Sequence, residues 1–254
     1  MTARLEHDAA GVARITIARP EVSNAFDAAT ISKLIELTRS VDPNARAVVL
    51  QSVGPTFSAG ADLNWMKEMA AAPRDHNTID AQALAGLYAS LDGLPMPLIA
   101  RVQGAAIGGG AGLVAVCDIA IASTEAWFQF AEVRVGIIPS VVSPYVVRKV
   151  GPAFATAAFV TGERFDVRRA YDAGLVHRVT EADALDAAVD ETLAEIRKGS
   201  PAAIRAAKRI IRQVLGHPAA EVRELTIRTI ADMRATPEAQ EGFRAFLERR
   251  SPRW

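Results

Sequence analysis

The chain has 254 residues, half of them hydrophobic, and its 29 Lys and Arg balance 29 Asp and Glu to a formal charge of zero. That length supplies a large α/β body with a core of its own, and the charge balance argues against nucleic acid or an anionic membrane as a partner. A single cysteine, Cys117, excludes an internal disulfide or a CxxC metal site, and four histidines without an HExxH pattern offer no metal centre.

The N-terminal residues have no apolar signal-peptide core and no apolar run is long enough to span a bilayer, so a soluble cytoplasmic protein is expected. Residues 12–20 (VARITIARP) alternate apolar and polar side chains and stop at Pro20, which predicts a half-buried strand. Residues 29–41 carry helical spacing, and 45–54 return to a strand. The turn GPTFSAG leads into ADLNWMKEMAAA, where Asp62 is placed to cap a helix. Residues 79–94 read as helix and 97–104 as strand. In VQGAAIGGGAGLVAVCDIAIA (102–122) a strand is about to become a helix. Each glycine inside regular structure costs ~0.5–1 kcal/mol relative to alanine, so Gly108, Gly109 and Gly110 mark a backbone that something approaches closely. No GxGxxG is followed by the acidic residue about 20 positions on that a dinucleotide-binding unit requires.

From Ser143 onward the punctuation is helical. Ser143-Pro144, Ser200-Pro201 and Thr236-Pro237 each pair a capping hydroxyl with proline, while Gly151, Gly174 and Gly216 stand where helices should stop. The expected organisation is an α/β core over residues 1–195 and a helical region over 196–254. Residues 201–254 hold eleven Lys or Arg against six Asp or Glu, read as solvated helix faces.

Four pieces carry chemistry: SNAF (23–26), FSAGADLNWMK (57–67), GAAIGGGAG (104–112) and FAEVRVGIIP (130–139). The second and third share a design, a small-residue turn feeding a helix N-terminus. Such turns present unpaired backbone N–H groups, and two aimed at one point make an oxyanion hole. Glu132, beside Phe128, Phe130 and Val133, is a surface residue unless it is enclosed, in which case desolvation suits it to exchanging protons near neutral pH. TFSAG lacks the first glycine of GxSxG, so Ser58 reads as a packed turn residue. Cys117 has no basic neighbour in sequence and reads as a buried thiol. Asp118 reads as a capping or pairing group, with a second catalytic acid as the alternative.

In this order, and with GERFDVRRAYDAGLVHRV (162–179), these pieces resemble the enoyl-CoA hydratase/isomerase (crotonase) superfamily over nearly the whole chain. Within it the nearest likeness is to methylglutaconyl-CoA-type hydratases, through FSAGADLNWMK, GGGAGLVAVCDIAIA and IIPSVVSPYVVRKVG. The resemblance implies a spiral of repeated ββα units, C-terminal helices that make a homotrimer or hexamer, an acyl-CoA thioester as substrate and no prosthetic group. It implies that the N–H groups of Ala61 and Gly109 hold the thioester oxygen and that Glu132 is the acid–base group. Asn24, Ala25, Ala59, Gly60, Ala61, Asp62 and Leu63, with Gly108, fall on positions that border coenzyme A.

The chain departs from that pattern in three places. Ser23 and Asn64 stand where relatives often carry a basic residue, Ser140-Val141-Val142 replaces a glycine-rich segment, and Gly112 occupies the position of an earlier glutamate. A single carboxylate favours an isomerase that moves a double bond, and the loss at Gly112 also fits a protein that binds acyl-CoA without turnover; the likeness to the methylglutaconyl type favours a hydratase, which is the expectation. Gly112→Glu is expected to raise hydration if the turn accepts a side chain. A substrate with a distal carboxylate would call on Lys67, Arg134 or Arg148.

Overall fold

The computed structural model describes residues 2–254. In chain order its elements are β1 (Ala3–His7), β2 (Val12–Ile17), α1 (Ala28–Arg39), β3 (Ala47–Ser52), α2 (Leu63–Ala71), α3 (Arg74–Asp92), β4 (Leu98–Val102), β5 (Ala106–Ile107), α4 (Gly109–Val116), β6 (Ile119–Ser123), β7 (Trp127–Gln129), α5 (Ser143–Thr161), β8 (Arg164–Asp166), α6 (Val167–Asp172), β9 (Arg178–Thr180), α7 (Leu185–Lys198), α8 (Pro201–Val214), α9 (Ala219–Arg234) and α10 (Pro237–Leu247). The large sheet has the order β1-β2-β3-β4-β6-β9, parallel except for β1 against β2.

Successive strand side chains point to opposite faces. Ala13, Ile15, Ile17, Val48, Leu50, Leu98 and Ala100 enter the main core, whereas Val12, Ala47, Val49, Ile99 and Ile121 meet Leu185, Ala188, Val189 and Leu193 of α7. Both faces are thus covered, as parallel strands require. This corrects the half-buried reading of residues 12–17. The polar positions of β2 lie under α7, where Thr16 is buried and accepts from Gln51 Nε2 at 3.1 Å, and Arg14 reaches Asp190 at 3.4 Å. The strand β1 (ARLEH) alternates apolar and charged residues over too few positions to mark a strand in sequence; it completes the sheet edge by pairing with β2.

A second, thin sheet, β5-β7-β8, is prolonged by two single bridges, Phe26 to Ala61 and Ser58 to Ala106. Each long strand is therefore followed by a short piece of the thin sheet and then by helix: β2, Phe26, α1; β3, Ser58, α2 and α3; β4, β5, α4; β6, β7, α5. This is a spiral of repeated ββα units, and the thin sheet brings the 23–26, 57–62, 104–112 and 127–132 segments side by side.

Ser200 and Thr236 cap α8 and α10 as expected, accepting from Ala203 N and Ala239 N. Ser143 does not cap: it is the first residue of α5, and its hydroxyl donates to Ser140 O at 2.7 Å. Gly151 interrupts α5 with φ of 75°. Residue 195, the expected division, falls inside α7, which packs on the large sheet, and α8 beyond it is still tied to the α/β body through Arg205, Lys208 and Arg212. Beyond it α9 buries no side chain, and Ile211, Leu215, Ile227, Ile230, Phe243, Phe246 and Leu247 are exposed. Among the described residues no helix is long and apolar enough to cross a membrane.

Candidate active site

Two turns are locked together by backbone hydrogen bonds. Ser58 N donates to Ala105 O at 3.0 Å and Ile107 N to Ser58 O at 2.9 Å, while Phe26 N donates to Gly60 O at 2.8 Å and Asp62 N to Phe26 O at 3.1 Å. In the second bridge Phe26 makes both bonds, so the N–H of the intervening Ala61 turns away from it. Gly109 opens α4, and the first N–H groups of a helix have no partner within it. The turns touch so closely that a Cβ on Gly60 would lie 2.6 Å from Ile107 O and 3.3 Å from Gly109 N, and Gly60 has φ of +82°. The opening of α4, which carries the Gly109 N–H, therefore abuts the 58–61 turn, which carries that of Ala61.

Gly108 stands between this pair and the carboxylate. Its φ is +52°, and a Cβ there would meet Glu132 Oε1 at 3.1 Å. Glu132 begins a short 3-10 turn after β7, and Ile137 N and the 132–135 turn hold its backbone. Its Oε2 is buried without a hydrogen-bond partner, the one carboxylate oxygen in that condition among the described residues. Burial raises its pKa above the ordinary glutamate value, against a smaller opposing backbone hydrogen bond. A glutamate that sequence alone would place on the surface is thus enclosed, with one oxygen free to take up a partner.

The other expected site residues fall into two groups. Gly60, Ala61 and Gly108 present backbone, and Leu63 at the start of α2 is largely exposed beside them. Asn24, by contrast, is fully buried: its Oδ1 accepts from Arg19 N at 2.9 Å, and its Nδ2 donates to Val53 O and Thr56 O at 2.7 Å each. Ser23 and Asn24 both take positive φ of 54°, a conformation asparagine tolerates better than most. Ala59 N donates to Ser23 O, and Ala25 O accepts from Arg19 Nη1. The Asp62 carboxylate caps α2 and pairs with Arg19 at 3.2 Å. Asn24 therefore has no surface open to a ligand, and Asp62 very little; their side chains hold the turn in shape.

Several alternatives find no support in the geometry. Ser58 is buried, with its hydroxyl donating to Asn24 O at 2.9 Å. Cys117 is buried, and burial raises its pKa despite Lys149 nearby. Asp118 lies at the opposite end of α4 from Glu132, held by Leu98 N at 2.7 Å and Lys208 at 2.5 Å, so it is a pairing group and no second acid at this site. A cavity of about 440 Å³ opens at that far end, lined by Cys117, Lys149, Lys208 and Leu215 among others. Of the three distal cations considered, Arg148 is tied to Asp92 at 2.5 Å, while Lys67 and Arg134 are exposed. Among the described residues no group of His, Cys, Asp or Glu forms a metal centre.

Sequence reading missed Tyr88, and marked Val142 only as part of the segment that replaces a glycine-rich stretch. A Cβ on Gly112 would meet Val142 Cγ1 at 2.4 Å and Tyr88 Oη at 3.0 Å, so these two side chains fill the space of the absent glutamate. Tyr88 looked like an ordinary core position of a helix; the available signal was that a buried tyrosine hydroxyl needs a partner, and here it donates to Gly109 O at 2.7 Å.

A family model described as enoyl-CoA hydratase/isomerase matches residues 7–254. The chain is 32% identical to the 2,3-dehydroadipyl-CoA hydratase of Escherichia coli over 94% of its length and 92% of the relative's. It is 28% identical to the trans-2-decenoyl-[acyl-carrier-protein] isomerase of Streptococcus mutans, covering 96% and 94% of the two chains. The crystal structure of an enoyl-CoA hydratase from Shewanella pealeana superposes with a TM-score of 0.95 at 37% identity, covering 100% of this chain and 96% of that one. With the ββα spiral, the paired turns and the enclosed glutamate in place, the chain belongs to the enoyl-CoA hydratase/isomerase family.

Proposed function

We propose that the chain is a one-carboxylate enoyl-CoA hydratase. The observation that carries this reading is the unpartnered Oε2 of Glu132, buried against Gly108 and one residue from the free Gly109 N–H. The Ala61 and Gly109 N–H groups hold the thioester oxygen, with the thioester of coenzyme A as substrate and no prosthetic group. Ionised Glu132 takes a proton from water as the water oxygen bonds to C3, and the electron pair moves through C2 to the thioester oxygen. The enolate collapses as Glu132 delivers its proton to C2. Donors aimed at the developing oxyanion contribute about 2.7–4 kcal/mol each where they have been removed in other enzymes, and general acid–base transfer a further factor of about 10²–10⁴.

Coenzyme A runs along the rim formed by 59–63, through backbone groups and the exposed Leu63, with the buried 24–25 turn supporting that rim from behind. The apolar residues left open on α8–α10 support assembly as a homotrimer or hexamer. One specific observation favours a second reading, the isomerase: Val142 and Tyr88 leave no room for a carboxylate at Gly112, and shifting a double bond requires only one base.

A panel of 2-enoyl, 3-enoyl and 3-hydroxyacyl CoA esters in deuterated water, with products followed by NMR and the oligomer mass fixed by light scattering, separates the readings. Hydration is expected to give a 3-hydroxyacyl-CoA with one deuterium at C2. Interconversion of 3-enoyl and 2-enoyl esters without a hydroxylated product selects the isomerase. Tight binding without any product would leave only the acyl-CoA-binding reading.

A further inference from the structure

Three glycines at the start of α4 pose a mechanical problem. Gly109, Gly110 and Gly112 lie within one turn of each other, and glycine is the residue least able to hold a fixed backbone. An oxyanion donor works only if it is held within about 0.5 Å of its place. Packing supplies part of the restraint, since a Cβ on Gly110 would stand 2.4 Å from Ser58 O. Packing alone does not fix the two soft torsions at the Gly109 Cα, which join the peptide carrying its N–H to the next peptide, which carries its carbonyl.

Tyr88 supplies the directional restraint. It sits on α3, fully buried, with its ring 5.7 Å from that of Tyr145. Its hydroxyl reaches across to α4 and donates to Gly109 O at 2.7 Å. The phenol oxygen lies 3.0 Å from where a Cβ would stand on Gly109 and 3.0 Å from where one would stand on Gly112. Residues three apart share a helix face, so the two glycines form a notch into which the hydroxyl fits. We infer that Tyr88 is a positioning residue of the oxyanion hole, fixing the residue whose N–H faces the thioester by holding its carbonyl on the other side, and that Gly112 is small to seat this phenol.

This inference rests on the proposed thioester chemistry and accounts for two facts together. The family's earlier glutamate position is glycine because the phenol and Val142 occupy its volume, and a tyrosine hydroxyl is buried because Gly109 O receives it. Burial raises the Tyr88 pKa, and the Glu132 carboxylate raises it further. The phenol therefore stays protonated as a hydrogen-bond donor throughout the working range and takes no part in proton transfer itself.

The test replaces the hydroxyl while keeping the ring. In Tyr88→Phe, kcat is expected to fall about 3- to 10-fold, the range one neutral hydrogen bond spans, with KM for the CoA ester little changed. The carbonyl stretch of bound butanoyl-CoA carrying 13C at the thioester carbonyl should move back toward its frequency in water, because a loosened donor polarises it less. Incorporation of p-fluorophenylalanine at 88 fills the hydroxyl's volume without a donor and should behave like phenylalanine; p-aminophenylalanine restores a donor and should recover both readouts. A folded Tyr88→Phe with wild-type kcat and carbonyl frequency overturns the inference, as does recovery by the fluoro analogue, which would make the role one of volume. If the wild-type protein binds butanoyl-CoA without shifting its carbonyl, the thioester reading itself fails, independently of Tyr88.

Discussion

The two ends of α4 come from one apolar segment, yet they are finished in opposite ways. At the C-terminal end Lys149 donates to Cys117 O at 2.6 Å and Asp118 O at 3.1 Å, and Lys208 joins Asp118 to Met96 O. Cations there complement the negative end of the helix dipole, and the polar groups named are paired. At the N-terminal end the Gly109 N–H opens the helix without an intrahelical partner, and Glu132 Oε2 is buried without one. An unsatisfied buried polar group costs about 1–3 kcal/mol. One end of the helix is fully satisfied and the other is left open, and it is the open end that the proposed function uses. Asp118 and Glu132 are both acids beside apolar sequence, and only their surroundings separate a structural group from a chemical one.

The contrast breaks most visibly at Glu132. Glu132→Gln keeps the shape and removes the exchangeable carboxylate, so turnover on a confirmed substrate is expected to fall by about 10²–10⁴-fold with thioester binding nearly unchanged. Because burial raises the pKa of Glu132 and the base works ionised, the acid limb of kcat/KM should lie above the ordinary glutamate value and vanish from the residual rate of the variant. Stability carries the opposite sign. A carboxylate whose folded pKa is raised contributes most below its unfolded pKa and loses that contribution as pH rises through the folded value. Glu132→Gln should therefore melt higher than wild type at neutral pH, with the advantage shrinking in acid. Wild-type turnover in the variant would return the search for the acid–base group to its start.

The next largest effect concerns Gly112. Read from sequence, a restored glutamate there promises a second acid; in the structure the first atom of that side chain would fall 2.4 Å from Val142 Cγ1. Gly112→Glu is accordingly expected to destabilise by about 1–3 kcal/mol, the usual scale of overpacking, and to lower activity. The corrected route opens the space first. A Val142→Ala, Gly112→Glu double variant should recover stability relative to the single change, and thermal melts of the wild type and the two variants check it. Equal melting temperatures for wild type and Gly112→Glu would show that Val142 yields easily.

How far the sequence reached depended on whether a residue's reason was local. Gly60 and Gly108 were legible because a positive φ and a close approach leave glycine as the natural choice. Asp62, Ser200 and Thr236 were legible as caps because a cap bonds within its own first turn. Glu132 was not legible from its neighbours: its enclosure comes from Gly108, 24 positions back, and only the family resemblance picked it out. Tyr88 and Val142 had no local signal, since the hydroxyl's partner and the valine's contact both lie on α4. The burial of Thr16 escaped for the same reason, being decided by what packs over it, and the short strand β1 is settled by its pairing with β2.

Asp118 gives the smallest effect on activity and completes the contrast. Asp118→Asn retains an oxygen to accept from Leu98 N but removes the charge that faces Lys208, whose side chain is only 10% exposed. Leaving a buried ammonium without its counter-ion can cost 3–5 kcal/mol. Two features reduce the expected loss. The Asp118 side chain is 27% exposed, so solvent screens the pair, and Lys208 still donates to Met96 O at 2.9 Å. A loss of about 1–3 kcal/mol follows, the scale of one charged hydrogen bond, read as a lower midpoint in urea. Because the pair lies at the satisfied end of α4, kcat and the acid limb set by Glu132 should stay as in wild type wherever the variant remains folded. A fall in kcat at unchanged stability would mean that the two ends of the helix are coupled, and that the division drawn between them is false.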